Sequence, residues 1–278
     1  MSAPAAAPAA AAPIAAAMAV AMLAAVGCAP ALRTAPPLAE IAGAPTASRV
    51  EAPALQARAA GLFASRDLNH VREAAGLALQ AAAADPSLEP ALLTAVETLV
   101  WLADHEPEAE ARETAAVRAV QAAQWCDRGA PASPACSFWL GAALGVQARE
   151  RPTTGLSALP AIEAAFKAAA AGDPSLDLAA PDRALAVFYL RAPQWPAGPG
   201  DPDRGLEHAR RAIALFPDHP PNLLALAEAL AATGDAEGAV REATTALSRA
   251  RSAVAAGVPD AAEWVREAEV ASGLRDQG

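Results

Sequence analysis

From Asn222 to Leu247 the sequence NLLALAEALAATGDAEGAVREATTAL places apolar residues at helical spacing on both sides of one break. Leu223, Leu226, Ala227 and Leu230 fall on one face of a first helix, and Ala239, Ala243 and Ala246 line the face of a second. Gly234-Asp235 interrupts the pattern between them. Large side chains thus oppose small ones, as two closely packed antiparallel helices require. Weaker copies recur upstream. Ala74, Ala81 and Pro86 in VREAAGLALQAAAADPS, and Ile162, Phe166, Ala169 and Pro174 in IEAAFKAAAAGDPS, keep the same relative spacing. Gly205, Ala209, Ala212 and Pro217 in RGLEHARRAIALFPD supply another copy. The Asp and Pro residues that close each copy stop one helix and set the first turn of the next. Pro259 to Arg275 reads as a closing helix with a polar outer face.

This spacing resembles the tetratricopeptide repeat, a helical hairpin that stacks on its neighbours. The expected fold is all-α: stacked helical hairpins forming an α-solenoid, with no sheet and with irregular inserts. Two inserts are expected. One is QARERPTTGLS, Gln147 to Ser157. The other is RAPQWPAGPGDPDRG, Arg191 to Gly205, whose four prolines and three glycines cannot continue a helix. Inserts of this kind gather on one face of a solenoid, often the binding face.

Composition narrows the partners. Residues are 54% hydrophobic but only 4% aromatic, so alanine dominates and the core is built from small side chains. A net charge of −10 with no basic stripe argues against a nucleic-acid partner. The first 27 residues carry no charged side chain, and Ile14 to Val26 is an apolar run too short to span a bilayer, which takes ~20 residues. It fits the apolar region of an export signal. LAAVGC then resembles the lipobox of bacterial lipoproteins, which makes Cys28 the candidate lipidation site; the plainer alternative is a secretory signal with an incidental cysteine. The expected organisation is a signal peptide over 1–27, a flexible Pro/Ala-rich tether over 28–53 and a helical domain over 54–278.

Chemistry-bearing residues are sparse. Cys126 and Cys136 flank a turn-rich stretch and form a disulfide candidate in an exported chain, with two buried free thiols as the alternative. His70, His105, His208 and His219 are scattered, with no metal-ligand spacing, and His219 reads as a surface turn residue. No phosphate loop, GxSxG elbow or nucleophile–base pair is present, so no cofactor, no metal and no enzymatic activity are expected. Glu106, Glu108 and Glu110 read as a solvated helix start. Glu228, inside an apolar helix, is either a buried carboxylate facing a ligand or a rim residue. Trp139 reads as core. Phe188 and Tyr189 are adjacent on a helix and point in different directions. Trp195 either staples its loop onto the helices or faces a ligand; the staple is expected, with a cavity nearby lined by Phe188 or Tyr189.

The runs SFWLGAALG and PDRALAVFYLRAPQWPAGPGDPDRGLEHARRAIALFPDHPPNLLALAEAL resemble the TatT family, the periplasmic tetratricopeptide-like T components associated with TRAP transporters. The resemblance runs from about Ala54 to Leu247 and is sharpest from Pro181 to Asp235. It implies a lipoprotein on the periplasmic side of the bacterial outer membrane, held by its lipid anchor only. Its implied partner is the periplasmic solute-binding protein of a TRAP transporter, with a channel for a small hydrophobic ligand and the possibility of a homo-oligomer. Phe188, Tyr189, Trp195 and Glu228 are then the ligand-binding candidates. The alternatives are an outer-membrane scaffold or assembly lipoprotein that binds peptides, a secreted or soluble periplasmic protein, and an enzyme whose site carries no recognisable motif.

Overall fold

The computed structural model describes residues 34–43 and 47–273. The signal segment and Cys28 lie outside the described residues.

Twelve helices are present among the described residues. A short α1 (Leu38–Ala42) precedes α2 (Ala52–Phe63), α3 (Leu68–Ala84), α4 (Glu89–His105), α5 (Ala109–Gly129) and α6 (Pro134–Glu150). There follow α7 (Pro152–Gly172), α8 (Leu176–Arg191), α9 (Pro202–Leu215), α10 (Pro220–Ala232), α11 (Ala236–Ala255) and α12 (Ala261–Ala271). Local chemistry sets their starts. The side chains of Asp67, Ser133, Asp201 and Asp235 each accept hydrogen bonds from backbone N–H groups of the first turn that follows. Proline occupies the first or second helical position of α2, α4, α6, α7, α9 and α10, where its missing N–H costs nothing.

The helices pair as α2/α3, α4/α5, α6/α7, α8/α9 and α10/α11, and α12 packs on both α10 and α11. Neighbouring first helices also touch, α4 on α6 and α10 on α8 and α12, so they form one inner layer. The interfaces are lined with alanine: Ala74, Ala78, Ala81, Ala116, Ala119, Ala123, Ala243 and Ala246 are fully buried. At Gly141 even a Cβ is excluded, because it would sit 2.7 Å from the Phe166 ring, so only glycine lets α6 approach α7 this closely. Asn222 ties three elements together from a fully buried position. Its amide donates to Leu178 O at 3.1 Å and Phe216 O at 3.2 Å, while its Oδ1 accepts from Arg183 at 2.8 Å.

Two expectations differ from what is observed. Part of the stretch assigned to the tether is structured: Leu38 and Ile41 are buried, and α1 packs on α3 and α5. Trp125 Nε1 donates to Pro36 O at 2.8 Å, and Arg118 donates to Ile41 O at 2.8 Å. Two apolar residues spaced for one helical face suffice to dock this turn. Gln147 to Ser157, expected as an insert, is almost wholly helical, with Arg151 alone between α6 and α7. Pro152, read as a breaker, acts as a helix starter.

Helix α8 opens unusually. Asp177, Leu178 and Ala179 have φ of 42°, 56° and 67°, a left-handed run without glycine. Regular helix begins after it, so Pro181 sits in a first turn where it displaces no hydrogen bond. The other non-glycine residues with positive φ are Arg66 (52°) and Asp260 (65°) among the described residues.

Candidate binding groove

Helices α6, α7, α8, α10 and α12 surround a groove of about 1520 Å³. Apolar side chains form its walls: Phe138 from α6, Leu159 from α7, Val187 and Phe188 from α8, Leu224 from α10 and Val270 from α12. Helical periodicity puts them there, because residues three and four apart on each helix share its inner face. Leu156 and Val270 remain largely exposed at its edge.

Charged residues interrupt these walls. Arg149, Arg183, Arg191 and Arg266 line the groove together with Glu228 and Glu267. Arg191 grips Glu228 through two parallel bonds, Nε to Oε1 and Nη2 to Oε2, both 2.9 Å. Glu228 is therefore a paired rim carboxylate. Burial pushes the Glu267 carboxyl up, as does the charge of Glu263, against the pull of Arg191 and Arg266. Arg183 is held by Asn222 and by Leu178 O, and its acidic neighbour Asp177 stands 3.7 Å away. Its guanidinium pKa is lowered by burial, which the charge of Asp177 offsets only in part. Each of these arginines stands beside a carboxylate: Arg149 by Asp104, Arg183 by Asp177, Arg191 by Glu228 and Arg266 by Glu263.

Of the ligand candidates, the structure brings Phe188 and Glu228 into this groove but not Tyr189 or Trp195. Tyr189 is 0% exposed, its ring stacked on His208 at 5.4 Å. Its hydroxyl donates to Glu163 Oε1 at 2.6 Å and accepts from Arg204. Trp195 does not staple its loop: it is 87% exposed. The loop holds itself instead. Gly200 N–H donates to Pro193 O at 2.8 Å, and Asp201 N–H to Tyr189 O at 2.9 Å. A Cβ at Gly198 would come within 2.6 Å of Pro193 O, so the turn closes too tightly for a side chain there. Ala192 and Pro193 from the same loop line the groove mouth.

Cys126 and Cys136 form a disulfide with Cα atoms 5.3 Å apart, joining the end of α5 to the start of α6. Glu106 is not solvated: it is buried and takes Arg72 in two bonds of 2.8 and 2.6 Å. His219 is half-buried against Trp264, and burial together with the Arg183 charge lowers its pKa to about 4. No group of three or more metal-ligating side chains is found among the described residues, nor is any helix there long and apolar enough to cross a membrane.

Sequence reading missed Glu97, on the inner helix α4. Burial and the charge of Asp177 push its carboxyl up to about 7, against Arg66 and a hydrogen bond from Trp139. A lone glutamate on a helix carries no sequence signal of burial.

Residues 197–258, the end of the proline-rich loop with α9, α10 and α11, match the tetratricopeptide repeat family profile. Among solved structures, a thermophilic TPR protein of Thermus thermophilus superposes with a TM-score of 0.59 at 18% identity, over 79% of this chain and 99% of that chain. The fold is a TPR-like solenoid. A second match, MamA protein, has a TM-score of 0.46 and 15% identity over 73% of this chain and 93% of its own. A search of curated protein sequences found no match. In the TPR-like frame the groove lies on the inner face of the first helices α6, α8 and α10 and of α12, with the second helix α7 closing one side, and the proline-rich loop joins the two helices of one hairpin, α8 and α9.

Proposed function

We propose that this chain is a non-enzymatic interaction scaffold, anchored by a lipid on Cys28 at the periplasmic side of the outer membrane. Its groove receives an apolar, acid-bearing segment of a TRAP-type solute-binding protein. The groove carries the reading: about 1520 Å³, walled by Val187, Phe188 and Leu224 and edged by arginines, it has the size and polarity for an inserted chain segment. The resemblance of Arg191 to Gly205 and the flanking helices to the TatT family supports the choice of partner. The export-signal pattern before Cys28 supports the location.

Isothermal titration of the purified chain against a TRAP-type solute-binding protein of the same organism tests this. Saturable binding by the wild type that Leu224→Arg weakens at least tenfold supports the reading. Absence of binding to that protein, with tight binding of apolar acidic peptides instead, replaces it with the peptide-binding scaffold. Mass spectrometry of the mature N-terminus tests the anchor separately, and an unmodified internal Cys28 removes it.

A further inference from the structure

The solenoid curls until its ends meet. Arg66 lies in the turn after α2, and Asp260 lies just before α12, 194 positions further along the chain. Arg66 Nε stands 2.9 Å from Asp260 Oδ1 and 3.0 Å from Oδ2. A second link joins the end of α4 to α12, with His105 Nε2 3.0 Å from Glu263 Oε1. The same imidazole stacks on Trp101 at 3.7 Å, and its Nδ1 lies 2.8 Å from Trp101 O. Helix α12 takes its helix packing from α10 and α11, so side chains make its connection to the first hairpins.

Both members of the first pair are pre-set. Arg66 and Asp260 hold φ of 52° and 65°, where a side chain is sterically disfavoured. Glycine would accept either conformation freely, but only charged residues add an ion pair. Arg66 is also held from its own side: Nη1 donates to Phe63 O at 2.8 Å, and the guanidinium lies 3.8 Å over the Phe63 ring. It points at Asp260 with little further ordering. The second link adjoins the groove. Glu263 stands one turn before the lining residues Arg266 and Glu267, and Asp104, next to His105, pairs with the lining residue Arg149. All four linking side chains are part-exposed, and pairs of this kind are individually weak and screened by salt.

We propose that Arg66–Asp260 and His105–Glu263 form a salt-sensitive latch that holds the ends of the solenoid together and releases to admit the occupant of the groove. The latch rests on the groove reading given above, but its opening is measurable without any occupant.

Small-angle X-ray scattering of the full chain, with and without roughly 1 M sodium chloride, reads the opening directly, since salt weakens part-exposed ion pairs and at that concentration shortens the Debye length to ~3 Å, about the spacing of the linked atoms. The radius of gyration of the wild type is expected to rise with salt. Arg66→Glu should show the larger radius already at low salt, and combining it with Asp260→Arg should restore the smaller one. Circular dichroism confirms that each variant stays helical; if Arg66→Glu does not, the salt series on the wild type decides alone. Stopped-flow fluorescence with the probe 8-anilinonaphthalene-1-sulfonate reads entry, and Arg66→Glu should accelerate association several-fold. A radius unchanged by both salt and Arg66→Glu overturns the latch. A radius that rises while the probe never binds supports the latch and counts against the groove instead.

Discussion

Tyr189 donates its hydroxyl proton to Glu163 across 2.6 Å, joining α8 to α7 through a fully buried ring and a part-buried carboxylate. Arg204 of α9 completes the arrangement, with its guanidinium 3.8 Å over the tyrosine ring and its Nη2 3.2 Å from Glu163 Oε1. Lys167 adds a 2.6 Å bond to the same carboxylate oxygen. Burial pushes Glu163 up, but the bonds from Lys167 and Tyr189 outweigh it and leave its pKa lowered. The only tyrosine of the chain therefore joins three consecutive helices.

Tyr189→Phe keeps the ring and deletes the hydroxyl. Glu163 and Arg204 then lose a partner in a part-buried place, so thermal unfolding should show a loss of about 1–3 kcal/mol. Partner affinity should be unchanged, because Tyr189 does not line the groove. A large loss of affinity in still-folded protein would give the residue a direct role in binding.

Glu97 makes stability pH-dependent. Its pKa rises from the ordinary 4.5 to about 7 on folding, so the folded state binds a proton that the unfolded state has released. Stability from this site is fully present below about pH 4.5 and is lost as pH rises through 7. Glu97→Gln should be neutral at acid pH and stabilising above neutrality by up to about 3 kcal/mol. Melting curves at both pH values check it, and equal shifts at both would contradict the raised pKa.

Reducing the Cys126–Cys136 disulfide frees the turn between α5 and α6. Both half-cystines are buried and the bridge closes 10 residues, so a loss of about 2–3 kcal/mol is expected from loop entropy. Circular dichroism should show the helices retained at room temperature.

Trp195→Ala should leave the melting temperature alone. An 87% exposed side chain contributes little packing, and the neighbouring backbone bonds survive the change, so the effect should stay within about 0.5 kcal/mol. Destabilisation well above that would mean the ring packs against the helices in solution.

The hairpin from Asn222 to Leu247 was legible because its signals agree. Leu223 packs with Ala246, Leu226 and Leu230 pack with Ala186 and Ala209 of the preceding hairpin, and Gly234 (φ 92°) and Asp235 provide the turn and the cap. Gln147 to Ser157 was misread because proline, threonine and glycine together look like a loop, although proline also starts helices. Phe188 and Glu228 line the groove because their helices turn those positions inward. Trp195 was not, because hydrophobicity predicts that a tryptophan prefers burial but not whether its loop reaches a surface. Glu97 and the meeting of Arg66 with Asp260 depend on the curvature accumulated over many hairpins. That quantity is not encoded in any one segment.

The alanine-lined interfaces give the protein an uneven tolerance of change. In a core of leucine, truncation is the damaging event, because each lost methylene group leaves a void. At Ala78, Ala119 or Ala243 there is almost nothing to remove, and the damaging event is growth. One added methyl at such a site must push two helix axes apart, and in a stacked array that displacement passes to every later hairpin. Random mutation seldom makes a side chain smaller than alanine, so nearly every substitution on these faces is an enlargement. The chain is thus sheltered from the commonest injury of other cores and exposed to its opposite.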